Sequence, residues 1–344
     1  MRLLALSVLF CLVAAPALAQ SSADGAEQAG ATAPAPAGGQ AVVDMDTVVV
    51  SGSQPGPGLW KVSKGEHVLW VMGTLSPLPR KMTWLSSETE AILAQAQEVV
   101  RPPGVSFDAD IGIVRGAFLI PSLLKARKNP DGATLKDVLP ADLYARWSVL
   151  KARYLGHDAG VEKWRPMFAA RELYEAALKK SGLSESGVVG PVVDKAVKRH
   201  GIRTASPTVK FKVEQPKATI KEFQRTSLDD LECFRATLER IENDLPLMVE
   251  RANAWSVGDV EGLRALPYEN QQTACIAAFS SAEFARKRGL DDLPAKVRSQ
   301  WMSAAETALE NNPVSFATLP IAELLKPDGY LGQLQAKGYL VEAP

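Results

Sequence analysis

Hydrophobic positions along the chain change their spacing several times, and each change predicts an element. Leu3 to Ala15 is an almost unbroken apolar run, and residues 20–41 carry no large apolar side chain. At Leu59-Trp60-Lys61-Val62 the spacing becomes alternate. With a turn at Ser63-Lys64-Gly65 and a second run from His67 to Met72, this predicts a β-hairpin. Ser87 with Glu90 three residues on makes a capping box, and Leu85, Ile92 and Ala96 share a face, so a helix is expected there. Glu98-Val99-Val100 reads as a short strand that Pro102-Pro103 stops. From Ile111 to Leu183 the apolar residues recur every three or four positions, a helical pattern broken near Pro130-Asp131-Gly132 and Gly156-His157-Asp158. A helix over Val188–His200 and a strand over Thr208–Val213 come next. Amphipathic helices are expected over Leu228–Ala265, Gln271–Arg288 and Lys296–Asn311, with short strands at Phe316–Leu319 and Tyr339–Val341. A hairpin start, a helical middle and a strand–helix–strand end imply an α/β fold, a small central β-sheet surrounded by many α-helices.

The first apolar run has the anatomy of an export signal. Met1-Arg2 supplies a positive start, Pro16 a break, and Ala17-Leu18-Ala19 a small-x-small cleavage site before Gln20, so residues 1–19 read as a cleavable signal peptide. Cys11 lies inside the run, not at its end, which argues against a lipoprotein. No later stretch approaches the roughly 20 apolar residues of a membrane span, so no transmembrane segment is expected after cleavage. Residues 20–57, rich in Ala, Gly, Pro and Ser, read as a disordered linker. Within it, Asp44 to Gly52 is β-prone and resembles the segment by which outer-membrane receptors contact the TonB protein; an edge strand or linker is the simpler reading. Residues 58–344 form the folded domain.

Lys plus Arg and Asp plus Glu are 39 each, so no net field draws in nucleic acid or an anionic membrane. After signal removal Cys233 and Cys275 are the only cysteines, and an oxidising compartment favours their pairing over two separate buried thiols. His67, His157 and His200 are scattered, none with a second ligand at metal spacing, and are read as structural or solvent-facing. Asp108 and Asp110 could reach a common ion from a loop; with Glu323 they are the alternative, replacement metal site. The seven tryptophans are read as core residues in preference to a saccharide-stacking surface.

Several segments, in order, resemble the TraB/GumN family, whose relatives include the Tiki metalloproteases. They are Leu59-Trp60-Lys61-Val62 with the hairpin into Gly73-Thr74, Lys163-Trp164-Arg165-Pro166-Met167-Phe168-Ala169, Ala254-Trp255-Ser256-Val257-Gly258-Asp259, and Asp328-Gly329-Tyr330-Leu331 with Gly338-Tyr339-Leu340-Val341. The resemblance covers roughly residues 58–344. It implies a divalent metal held between two Gly-x-x-His motifs and a glutamate at the end of the second strand, where a bound water would become a nucleophile. This chain departs at all three places. Ser76 stands where the first His is expected, Pro102 (with Arg101 before it) where the glutamate is expected, and Glu323 where the second His is expected. Arg298 matches a family arginine, followed by Ser299 in place of an asparagine. Proline has no side-chain donor, Arg101 repels a cation, and one hydroxyl with one carboxylate is a poor ligand set.

The resemblance therefore implies a periplasmic, catalytically degenerate domain that binds a ligand or envelope partner and needs no cofactor. The alternative is a peptide or glycan hydrolase with replaced metal ligands. Ser76 as a nucleophile lacks a base in sequence and is read as a remnant of the site.

Overall fold

The structure is a computed structural model that describes residues 54–109, 111–112, 116–267 and 271–344. The signal peptide, residues 20–53 of the linker and Asp110 lie outside the described residues. The strands are β1 (Leu59–Lys64), β2 (His67–Thr74), β3 (Leu78–Pro79), β4 (Glu98–Val100), β5 (Gly104–Asp108), β6 (Leu183–Ser184), β7 (Arg203–Ala205), β8 (Thr208–Lys212), β9 (Val314–Pro320) and β10 (Leu340–Glu342). Six of them form the central sheet, in the order β10-β1-β2-β9-β4-β7. The pairs β10–β1 and β1–β2 are antiparallel; β2–β9, β9–β4 and β4–β7 are parallel.

The hairpin forms as its alternation predicts. Trp60 and Val62 are buried on β1, and Lys64 pairs His67 across a turn in which Gly65 takes a φ of 60°. Strand β9 reads differently: Ser315 to Leu319 are all buried, the mark of a central strand covered on both faces. Around the sheet, one core gathers Leu69, Val71, Trp255, Trp301 and Phe316. A second core is mostly helical, built around Leu143, Trp147, Leu173, Phe234 and Leu238. The helix Leu245–Ser256 joins them, giving Leu245 and Met248 to the second core and Ala252 and Trp255 to the first. Trp60, Trp147, Trp255 and Trp301 are buried and Trp70, Trp84 and Trp164 half-buried, so packing is the role of most of the tryptophans.

Several expectations need correction. The helix after the hairpin spans Ser87–Leu93 with Ser86 at its cap, and Ser86 Oγ donates to Glu90 Oε1 at 2.6 Å. Its buried face is Thr89 and Leu93, with Ala96 beyond its end, while Leu85 is exposed. The long helix expected over Leu228–Ala265 is broken into Leu231–Glu239, a π-helical turn at Arg240–Asp244, Leu245–Ser256 and Val260–Ala265. Pro246 lacks the N–H that would continue the ladder, and the widened turn upstream absorbs the mismatch. The prolines after β4 do stop it, but the chain resumes as β5, which pairs in parallel with β8 as a separate two-stranded ribbon. Asp108 therefore ends a strand instead of lying in a loop.

Residues 54–57, read as the end of the linker, are already held. Gln54 bridges to Trp84, and the Gly56 N–H donates to the Ser256 carbonyl at 2.8 Å. The Cys233–Cys275 disulfide joins the helix Leu231–Glu239 to the helix Gln271–Ser280. Among the described residues no helix is long and apolar enough to cross a membrane.

Candidate functional site

Four neighbouring parallel strands bring their C-terminal ends to one edge of the sheet, the edge outside which open α/β sheets bind ligands. Thr74 ends β2 opposite Pro320 of β9, and Val100 ends β4 opposite Ala317 of β9 and Ala205 of β7. The segments that leave these ends carry Ser76, Arg101 with Pro102, and Glu323. The topology thus gathers at one edge the residues that the sequence placed at the family's metal positions.

Close packing fixes this edge. A Cβ on Gly73 would run into Ile321 Cδ1, and one on Gly329 into the Glu323 carbonyl oxygen, so both positions need glycine for approach. The Trp255 indole N–H donates to the Gly73 carbonyl at 2.8 Å, which ties the Ala254–Asp259 motif to the end of β2. Asp259 caps the helix after that motif by accepting the Gly262 N–H at 2.8 Å.

At the edge each side chain is turned to a partner of its own. Ser76 Oγ donates to the Glu185 carbonyl at 3.1 Å. Arg101 pairs with Asp194 at 2.6 Å, and Glu323 with Lys326, three residues on, at 2.5 Å. No hydrogen bond or ion pair among the described residues joins any two of Ser76, Arg101 and Glu323. Arg298, from the helix Leu293–Asn311, lies 5.7 Å from the centre of the Tyr330 ring, and that ring meets Trp301 edge-on at 5.0 Å. Burial pushes the Tyr330 hydroxyl above its ordinary pKa; the Glu323 charge adds to the rise and Arg298 opposes it. Glu323, Tyr330 and Arg298 are therefore electrostatic neighbours. Tyr330 was missed as a site residue. Its signal was its place directly after Asp328-Gly329, and Arg298 and Trp301 lie three apart on the facing helix.

Beside this edge a groove of about 450 Å³ opens between Ala205-Ser206-Pro207 and the helix residues Ser299, Gln300, Ser303 and Ala304. Arg101 borders it, since its N–H donates to the Ala205 carbonyl at 2.8 Å.

None of the histidines joins Ser76. His67 begins β2 at the opposite edge, its Nδ1 2.5 Å from the Leu309 carbonyl. His200 ends the helix that precedes β7, and His157 lies in a turn after the helix Ala141–Tyr154. Asp108 stands opposite Lys212 in the β5–β8 ribbon.

The donor set at the edge does not suit a divalent cation. Ser76 is a donor to a carbonyl, Pro102 offers nothing from its side chain, Arg101 brings a positive charge, and Glu323 is engaged by Lys326. Among the described residues no three His, Cys, Asp or Glu side chains stand together as a metal site.

No curated protein and no solved structure matches the chain. The sequence model of the TraB/PrgY/gumN family does, over residues 58–343, which span both cores, the whole sheet and the edge described above. The chain belongs to the TraB/PrgY/gumN family.

Proposed function

We propose that this protein is exported to the bacterial periplasm and works there by binding, as a catalytically degenerate member of its family. The observation that carries this reading is the pairing at the sheet's C-terminal edge. Arg101 and Lys326 bring positive charge to this edge, and each holds one of the carboxylates nearby. In this reading the adjoining groove, with its Ser206, Ser299, Gln300 and Ser303 side chains, takes a polar organic ligand or a segment of an envelope partner. Hydroxyl and amide groups both donate and accept, which suits an uncharged polar ligand better than an ion.

A second reading is a peptide or glycan hydrolase that has replaced its metal ligands. It is favoured by the nearness of Glu323 to Tyr330 and Arg298, which leaves a carboxylate, a phenol and a guanidinium at one strand edge. Metal analysis separates the two. The exported protein, incubated with manganese, cobalt or zinc and dialysed, is expected to retain no stoichiometric metal. Retention of one equivalent that Glu323→Ala abolishes overturns the binding reading in favour of the hydrolase.

A further inference from the structure

The central sheet ends at β7, and β8, which follows it after Ser206-Pro207, pairs on one side with β5. In β7 the Arg203 N–H donates to the Gln97 carbonyl at 3.3 Å and the Ala205 carbonyl accepts the Arg101 N–H at 2.8 Å, so odd-numbered residues turn their main-chain groups to β4. In β8 the Pro207 carbonyl accepts the Gly104 N–H at 3.0 Å and the Val213 N–H donates to the Asp108 carbonyl at 2.7 Å, so odd-numbered residues there turn to β5. The alternation leaves the N–H and carbonyl groups of Thr204, Ser206, Thr208, Lys210 and Lys212 pointing away from both partner strands. Among the described residues no backbone hydrogen bond takes them up on that side. Pro207, whose nitrogen has no hydrogen to give, falls on the paired side and does not interrupt the outward row.

Such a row is a template for one more strand. Its surroundings say which strand fits. At Ala205-Ser206-Pro207 the groove is walled on its other side by Ser299, Gln300 and Ser303 of the helix Leu293–Asn311, which also packs on β8. An added segment there lies between the strand edge and a polar helix flank, whose hydroxyl and amide groups suit peptide amides.

Further along β8 the side chains alternate. Lys210 and Lys212 are exposed on one face, and Val209 and Phe211 are half-buried on the other. Asp108 stands opposite Lys212 in the register, yet neither lysine forms an ion pair among the described residues. An extended segment that alternates acidic and apolar residues matches both faces. A second copy of this edge does not, because antiparallel pairing would set lysines against lysines.

We propose that an extended, acidic segment of a partner protein adds to the β7–β8 edge as a further strand, running through the groove. This rests on the binding reading above and names the occupant of the groove and of the strand edge that continues it. Fluorescence anisotropy tests it with a labelled, blocked peptide of alternating valine and aspartate, long enough to span Thr204–Lys212. That peptide is expected to bind, and its counterpart with lysine in place of aspartate is not. Lys210→Gln with Lys212→Gln is expected to weaken binding roughly tenfold, the worth of two exposed ion pairs, with the difference shrinking as salt is raised. Thr204→Pro removes one outward N–H at an edge position that tolerates proline, so it is expected to weaken binding while the circular dichroism melting curve stays in place. N-methylation of the peptide at every second residue is expected to abolish binding in one phase and spare it in the other, because alternate amides face the edge. Equal binding of the acidic and basic peptides, or the same result in both methylation phases, overturns the proposal. Binding of neither peptide also overturns it and leaves the binding reading to its own metal test. So does a dimer in sedimentation velocity that Thr204→Pro converts to monomer, since a second copy would then occupy the edge.

Discussion

Two arginines that the family comparison singles out, one in a matching segment and one where the chain departs from the family's metal site, are treated very differently by the fold. Arg165, in the Trp164-Arg165-Pro166 segment, is buried, and its guanidinium donates to four carbonyls: Lys128 at 3.2 Å, Phe223 at 3.0 Å, Gln224 at 2.9 Å and Thr226 at 2.8 Å. It closes the C-terminal turn of the helix Pro216–Arg225 while Asp230 accepts the Met167 N–H at 2.9 Å at the start of the helix Pro166–Lys180. Arg101, at the sheet edge, instead holds one carboxylate, Asp194, whose side chain is 65% exposed. A buried guanidinium with four acceptors is committed to structure, because removing it strands carbonyls away from water. A half-exposed ion pair is cheap to open, because water replaces either partner. The difference teaches that the matching segment is committed to the fold while the position of departure at the sheet edge is held only by a pair that a ligand could open.

Substitution makes that contrast measurable. Arg165→Ala is expected to lower unfolding free energy by roughly 3–5 kcal/mol in urea titration; a loss no larger than that of Arg101→Ala would erase the distinction. Next in size is the disulfide. Replacing Cys233 and Cys275 together with serine is expected to cost roughly 2–4 kcal/mol, since the bridge closes a loop over a sequence separation of 42. Trp255→Phe keeps most of the ring but leaves the Gly73 carbonyl without its donor, an expected loss of about 1–2 kcal/mol in the same assay. At the edge itself, Arg101→Ala and Glu323→Ala are expected to change stability by less than about 1 kcal/mol.

The smallest effect is one of pH. Burial raises the Asp230 carboxyl above its ordinary pKa, against the pull of the Met167 N–H and of Arg165. A carboxyl raised in the folded state favours folding when protonated. Its contribution is therefore full below the ordinary carboxylate value and is lost as pH rises through the folded value. Asp230→Asn keeps an acceptor for Met167 and is expected to remove that slope from the stability profile between acid and neutral pH. An unchanged slope would place the titrating group elsewhere.

Much of this was legible along the chain. The hairpin, the helix at Val189–His200 and the C-terminal strand–helix–strand unit follow from local periodicity, and the Cys233–Cys275 bridge joins the two cysteines that lie outside the N-terminal apolar run. The ribbon of β5 and β8 was half visible. Thr208–Val213 read as a strand, but its partner lay beyond Pro102-Pro103, and a five-residue strand after a proline stop has little local signal. Tyr330 and the groove residues Ser299, Gln300 and Ser303 were not legible as site residues. Their meaning depends on a helix and a loop far apart in sequence meeting at one edge.

The sequence by itself determined the α/β class, the helix-rich outline, the family and the identity of the side chains at the metal positions, since each rests on residue type or short-range spacing. Only the tertiary structure decided that Ser76, Arg101 and Glu323 share one strand edge yet face separate partners. It also turned Arg165 into a four-carbonyl clamp. Those outcomes depend on parallel pairing across more than 200 residues of chain, as between Gly73 and Leu319, and on which groups burial denies to water. Neither is written in any local pattern.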